Sequence, residues 1–214
     1  MTLTFDPSTD FEDVVDGLEA VTLVRRGKAA TSIASALQRA IGEREAAASN
    51  GQYTSRDVRW HLPDALVGDR PDLGDVILDA AGNRYTILDA QHATLENRWR
   101  CIARDLVVFW RLTDWFTIEE ATFSKGTGGA AEASWTRLRV VRGRMQPIGR
   151  AMTVEEEARR TTRRWQLFVE EDLGLTHEHR IKAADGTRYA IESVTGPEQI
   201  GQVPVIEVSE WRQG

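Results

Sequence analysis

AAGNRYTIL, residues 80–88, returns about a hundred residues later as AADGTRYAI, residues 183–191. With Gly82 set on Gly186, segments 77–90 and 181–194 agree at Ile77, Ala80, Gly82, Arg84, Tyr85 and Ile87, six positions of fourteen. Unrelated segments of ordinary composition share roughly one. Each copy sets a turn pair, Gly-Asn or Asp-Gly, between two runs that contain apolar residues, the signature of a tight β-hairpin. After the turn, Tyr85 and Ile87 alternate with Arg84 and Thr86, and Tyr189 and Ile191 with Arg188 and Ala190. That alternation predicts one buried and one wet face.

The echo extends in both directions. VRWHLP around Trp60 precedes Ile77 by 17 residues, and RRWQLF around Trp165 precedes Ile181 by 16. Further back, VTLVRRG ending at Gly27 parallels LRVVRG ending at Gly143, and RWRCIARDLVV and VPVIEVSEW are matching final strands. Five or six strands per hundred residues, punctuated by turns, fit a small barrel or sandwich. The fold class read from this pattern is mainly β, with two tandem small barrel or sandwich domains, long loops and one short helix each. The first domain, with an acidic amino-terminal arm, spans 1–108. An aromatic connector, too rich in Trp110 and Trp115 to be a floppy linker, spans 109–117, and the second domain spans 118–214.

The two inserts differ. ATSIASALQRAIGEREAAASNG, residues 30–51, has alanines, Leu37 and Ile41 at helical spacing and a stop at Gly51. MTVEEEARRTTRRW, residues 152–165, places Thr153 three residues before Glu156, a capping box. Each predicts a short helix, with an extended β-strand as the close alternative.

Composition narrows the function. Apolar residues make up 41% of the chain, enough to build a core. The net charge is −6, and residues 1–106 hold 17 acidic against 12 basic side chains while the remainder holds 16 against 15. No dominant basic patch marks the chain as a reader of DNA sequence. Cys101 is the single cysteine, which excludes an intrachain disulfide and a multi-cysteine zinc site and reads as a small buried hydrophobe. The acidic start lacks the order of a secretion signal, and no apolar run approaches a membrane span.

Candidate chemistry is sparse. His177-Glu178-His179 has metal-compatible alternation but sits on a loop without a third ligand of its own unit. His61 and His92 have no Ser or Cys in a nucleophile setting. FSKGTGGAAEAS, residues 123–134, lacks the order of a phosphate-binding loop and reads as a hairpin tip. Trp60 and Trp165 recur at equivalent strand positions, as core residues do.

On these residues the chain resembles small phage head-closure proteins, the stoppers or head–tail joining proteins. Their ending, a Gly-x-x-Tyr-x-Ile-x-Ser-Val hairpin, a polar loop and an alternating last strand, is matched by Gly186, Tyr189, Ile191, Ser193 and Val194, then Ile206 and Val208. Such proteins usually hold one domain of this kind, and this chain holds two. The resemblance implies a virion protein of the neck, made in the host cytoplasm and not secreted, without catalysis, cofactor or metal.

Its implied partners are further copies of itself in a ring of six, or of twelve. A portal or adaptor protein would lie on one side and a tail-terminator or tail-tube protein on the other. Double-stranded DNA would pass without sequence readout, along a channel bordered by acidic character, and no membrane is involved. A tail-completion or baseplate adaptor is the alternative, with a carbohydrate-binding module or glycan hydrolase behind it. Gly82, Arg84, Tyr85, Ile87, Gly186, Arg188, Tyr189 and Ile191 then read as scaffold. Glu43, Arg44, Glu45, Lys125, Gly126, Glu156 and Glu157 are the candidate interface and gating loops.

Overall fold

The computed structural model describes residues 16–93, 97–125, 131–155 and 158–211, and only the backbone at 131, 132, 150–155 and 158–162. The chain divides into two compact units, Met1–Phe109 with Gln199–Gly201, and Trp110–Glu198 with Gln202–Gly214. Each unit is built on a closed six-stranded antiparallel barrel.

The first barrel uses β1 (Leu18–Val24), β2 (Thr31–Ala40), β3 (Val58–Pro63), β4 (Val76–Leu78), β5 (Arg84–His92) and β6 (Arg98–Asp105). Among the described residues three short helices, α1 (Glu43–Ala48), α2 (Asp64–Val67) and α3 (Leu106–Trp110), punctuate or follow these strands. The second uses β7 (Asp114–Lys125), β8 (Ala131–Glu155), β9 (Ala158–Val169), β10 (His179–Ala183), β11 (Arg188–Thr195) and β12 (Val205–Glu210). Neighbours run β1-β2-β3-β6-β5-β4 in one and β7-β8-β9-β12-β11-β10 in the other, the same circuit. The aromatic segment 109–117 contains the end of α3 and the first residues of β7.

The repeated phrase is the hairpin that closes each barrel. Ile77 of β4 faces Leu23 of β1 on one side and Tyr85 of β5 on the other. Ile181 of β10 faces Ile118 of β7 and Tyr189 of β11. Both isoleucines are fully buried. The turns are three-residue loops rather than two-residue ones: Asp79 N–H donates to Asn83 O (3.1 Å) and Ala183 N–H to Thr187 O (2.9 Å). Gly82 and Gly186 hold φ of 84° and 89°, the left-handed position such a loop requires. Even the irregularity recurs, since the β5–β6 register slips between Ile87 and Asp89 and the β11–β12 register between Ile191 and Ser193.

Apolar residues at alternate positions fill both barrels. Val21, Leu23, Ile33, Trp60, Leu62, Ile77, Ile87 and Cys101 form the first core. Phe116, Ile118, Val141, Leu167, Ile181, Tyr189, Ile206 and Val208 form the second. Trp60 meets Tyr85 edge-on at 5.5 Å, and Trp165 meets Tyr189 at 6.5 Å. Each contact of this kind contributes about 0.5–1.5 kcal/mol beyond area burial. Trp60 is fully buried and Trp165 is partly buried against its core. Burial pushes the Cys101 thiol up to about 12, so it packs as an inert small side chain.

Both helix expectations change. Thr31–Ala40 is strand, because β1 needs a partner along its length and Ile33 and Ala36 point into the core. The helix is confined to the six residues after Gly42. In the second unit the described residues of the capping-box stretch are strand: Thr153 pairs with Arg160 in a β8–β9 ribbon, and Glu156 lies outside the described residues. The cap is a local signal, and a ladder of backbone hydrogen bonds outweighs it. No helix lies between β7 and β12 among the described residues.

The Arg-Gly correspondence also changes. VTLVRRG is the end of β1 and the turn after it, and β1 has β7 as its counterpart in the circuit, whereas LRVVRG lies in β8, the counterpart of β2. Gly27 sits after β1 with φ 72° and nothing near its missing Cβ. Gly143 sits inside β8 where a Cβ would meet Phe168 O at 2.8 Å and Leu167 Cδ1 at 2.9 Å. β8 pairs with β7 up to Gly143 and with β9 from Gly143 onward, so this glycine marks the handover between two long ribbons. Gly143→Ala is expected to destabilise the chain by about 2–3 kcal/mol through backbone displacement. Gly27→Ala carries only left-handed strain of about 1 kcal/mol. Urea unfolding of the two variants checks the order.

Candidate functional site: an arginine-lined cleft on the first barrel

In β3, Trp60 and Leu62 point into the core and leave Arg59 and His61 on the outer face. In β6, Trp99, Cys101 and Ala103 take the inner phase and leave Arg98 and Arg100 outside. Register brings them together: His61 lies opposite Arg100, Pro63 opposite Arg98, and Arg39 of β2 opposite Arg59. Arg59, His61, Gln91, His92, Asn97, Arg98 and Arg100 line a cleft of about 370 Å³.

Some of this charge is answered locally. Arg59 forms an ion pair with Glu45 of α1. His92 Nε2 lies 3.1 Å from Asp64 Oδ1 and its ring stacks on Trp99 at 4.2 Å. Arg100 donates to Gln91 Oε1 at 3.5 Å, and Gln91 in turn donates to Asp89 at 2.9 Å. Buried Arg59 Nε and His61 Nδ1 have no hydrogen-bond partner among the described residues.

His61 registers the excess positive potential. Burial, and then the charges of Arg98, Arg59, Arg100 and Arg39, push its pKa down to about 4. The imidazole is therefore neutral near pH 7. Guanidinium groups that converge on a half-enclosed space favour oxyanions, carboxylate or phosphate, through charge-assisted hydrogen bonds. Among the described residues the cleft holds no nucleophile with a base beside it, and no group of three His, Cys, Asp or Glu is arranged for a metal.

The residues singled out from sequence fall in several places. Gly82, Arg84, Tyr85 and Ile87, with Gly186, Arg188, Tyr189 and Ile191, build the closing hairpins; Arg188 also lies 3.9 Å from Glu119. Glu43 and Arg44 are exposed on α1, while Glu45 reaches the cleft through Arg59. Lys125 is exposed at the end of β7, and Gly126, Glu156 and Glu157 lie outside the described residues. His177 and Glu178 are exposed, and His179 Nδ1 accepts from Thr176 N–H at 3.1 Å.

The arginine cleft is absent from the charge count because its members come from β2, β3 and β6. Its signal was nevertheless present, as Arg-Trp-His and Arg-Trp-Arg alternation in two strands that share a polar phase.

No protein-family model matches the chain, and no curated protein does. Among solved structures it is similar to a chain of the virion of a native gene transfer agent particle. The identity is 16% and the TM-score 0.39, over 47% of this chain and 94% of that one. It is also similar to MrkH of K. pneumonia, at 8% identity and a TM-score of 0.17, over 95% of this chain and 81% of that one. No helix among the described residues is long and apolar enough to cross a membrane.

The His61 shift has a pH signature. A histidine whose folded pKa lies below its ordinary 6.5 binds its proton more readily unfolded. Stability is then full above pH 6.5 and falls as the pH drops toward about 4. His61→Asn is expected to flatten that limb, read as the change in urea midpoint between pH 7 and pH 4.5.

Proposed function

We propose that this chain is a structural protein of a tailed-phage-type virion, placed at the neck, where it joins the portal or its adaptor to the tail and helps close the DNA channel. The observation that carries the reading is the doubling of one barrel. Circuit, closing hairpin, edge-on Trp–Tyr contact and β-bulge all recur within one chain. The resemblance of that hairpin and last strand to head-closure proteins supports the assignment to a neck.

A doubled barrel lets one polypeptide meet two symmetries. Six copies in a ring present six-fold contacts through the whole chain and twelve quasi-equivalent barrels through its halves. The outer equipment of the two barrels differs in a way suited to that task. The first carries an arginine cleft, and the second carries two long ribbons, β7–β8 and β8–β9. The ribbon edge strands expose Phe123, Leu138 and Ile148, apolar side chains that an assembly interface would cover. Function on this reading lies in interfaces and not in catalysis, with DNA passing without sequence readout.

Native mass measurement and electron microscopy of the assembled particle test the proposal. Six copies in one ring at the head–tail junction are expected. Twelve copies in one ring would end the symmetry-matching idea, and a position elsewhere in the tail would end the neck assignment.

A further inference from the structure

We propose that the β7–β8 ribbon of one copy of this chain inserts Phe123 into an apolar cavity at the start of β7 on the next copy, with Lys125 meeting the carboxylates of that cavity. The inference deepens the proposed function and rests on it only in that copies of the chain assemble with one another. It names the two surfaces that meet.

The cavity, of about 480 Å³, is walled by Trp115 and Phe116 of β7, Met145 of β8 and Ala183 of β10. Phe116 and Ala183 are brought together by register. Trp115 is 52% exposed, although the Arg142 guanidinium covers part of its indole at 5.0 Å. Asp114 and Asp185 line the same cavity and are exposed. Asp185 accepts from Thr187 N–H at 2.9 Å and Asp114 from Thr113 Oγ1 at 3.4 Å, and neither is ion-paired among the described residues. Apolar walls with carboxylates beside them select an apolar group that carries a cation next to it.

The far end of β7 presents that combination. From Glu119 to Lys125 the pairing with β8 is regular, so Ala121, Phe123 and Lys125 share one face. Phe123 lies opposite Ala133 and next to Ala121 on that face, and with such small neighbours it is 59% exposed. Lys125 is exposed about 7 Å further along the strand. In the cavity the phenyl ring would meet an indole and a thioether, both favourable partners for an aromatic group.

The two surfaces cannot meet within one copy. Trp115 and Phe123 lie on one continuous strand, about 26 Å apart at roughly 3.3 Å per residue. A contact between opposite ends of the same strand is heterologous. Every copy offers one ribbon and one cavity, so the contact propagates into a ring or a filament and does not stop at a two-fold dimer. One aromatic side chain buries only about 150–250 Å², so each contact is weak and ring closure adds them together.

Sedimentation velocity of the full chain across about 1–100 µM tests this. The wild-type chain is expected to grow past the dimer as concentration rises. Phe123→Ala should weaken association about tenfold, and so should Ala184→Trp, which fills the cavity from an exposed turn position. Both sites are exposed, and unchanged urea midpoints report that the variants are folded. Lys125→Glu and Asp185→Lys should each weaken association, and their combination in one chain should recover it. A mixture of Phe123→Ala and Ala184→Trp retains one intact cavity and one intact ribbon, so it should form a dimer and nothing larger.

Three outcomes would overturn the proposal. One is a wild-type chain that stays monomeric over the whole range. Another is growth that stops at a dimer, which assigns the contact to a two-fold face. The third is association of Phe123→Ala and Ala184→Trp that equals the wild type. The neck assignment fails separately: rings at the head–tail junction that persist with Phe123→Ala sink this contact alone, and Phe123-dependent association of a chain found elsewhere in the particle sinks the neck assignment alone.

Discussion

Closure of each barrel passes through one short strand. β4 has three residues and β10 five, yet each hydrogen-bonds on both sides and carries a fully buried isoleucine at its centre. Without that strand the first and fifth strands of each circuit would be open edges, with unpaired backbone groups available to other chains. Because so few residues make the closure, little variation is tolerated among them. The isoleucine must fill the barrel, the glycine must adopt positive φ, and the tyrosine must present its ring to the tryptophan of the third strand.

Away from the closing hairpin the two barrels answer the same topology with different surfaces. In the first, a buried ion pair of Arg104 and Asp57, with contacts of 2.7 and 2.8 Å, ties the approach to β3 to β6, and the Arg104 guanidinium lies over Phe109 at 4.1 Å. In the second, Arg180 contacts Glu119 at 2.6 Å and lies over Trp135 at 4.1 Å. Both devices satisfy a buried guanidinium with a carboxylate and an aromatic face, which offsets desolvation. Breaking either by removing the acid would leave an uncompensated charge, a loss of about 3–5 kcal/mol for pairs this enclosed.

The hairpins, the core tryptophan strands and the duplication were legible because each is local: a turn glycine, a period of two, a repeated spacing. The Arg-Gly pairing misled because Gly27 and Gly143 satisfy different constraints, one a turn conformation and the other the close approach of Phe168 O. The capping-box reading placed a helix start at Thr153, where β8 pairs with β9 instead. Of the candidate loop residues that are described, Glu45 alone reaches the cleft, and it does so through Arg59. The cleft itself was not legible as a charge patch, since acidic residues elsewhere cancel its arginines in the total charge and its members come from separate strands.

The sequence by itself determined that the chain is β-rich, that it holds two copies of one unit, and which residues close each copy. Those properties depend on alternation and turn chemistry, which act between near neighbours along the chain. Only the tertiary structure decided that the strands close into barrels, which strand is equivalent to which, and that arginines from β2, β3 and β6 share one outer face. These depend on register between segments tens of residues apart, where a slip of one residue would send every side chain to the opposite face.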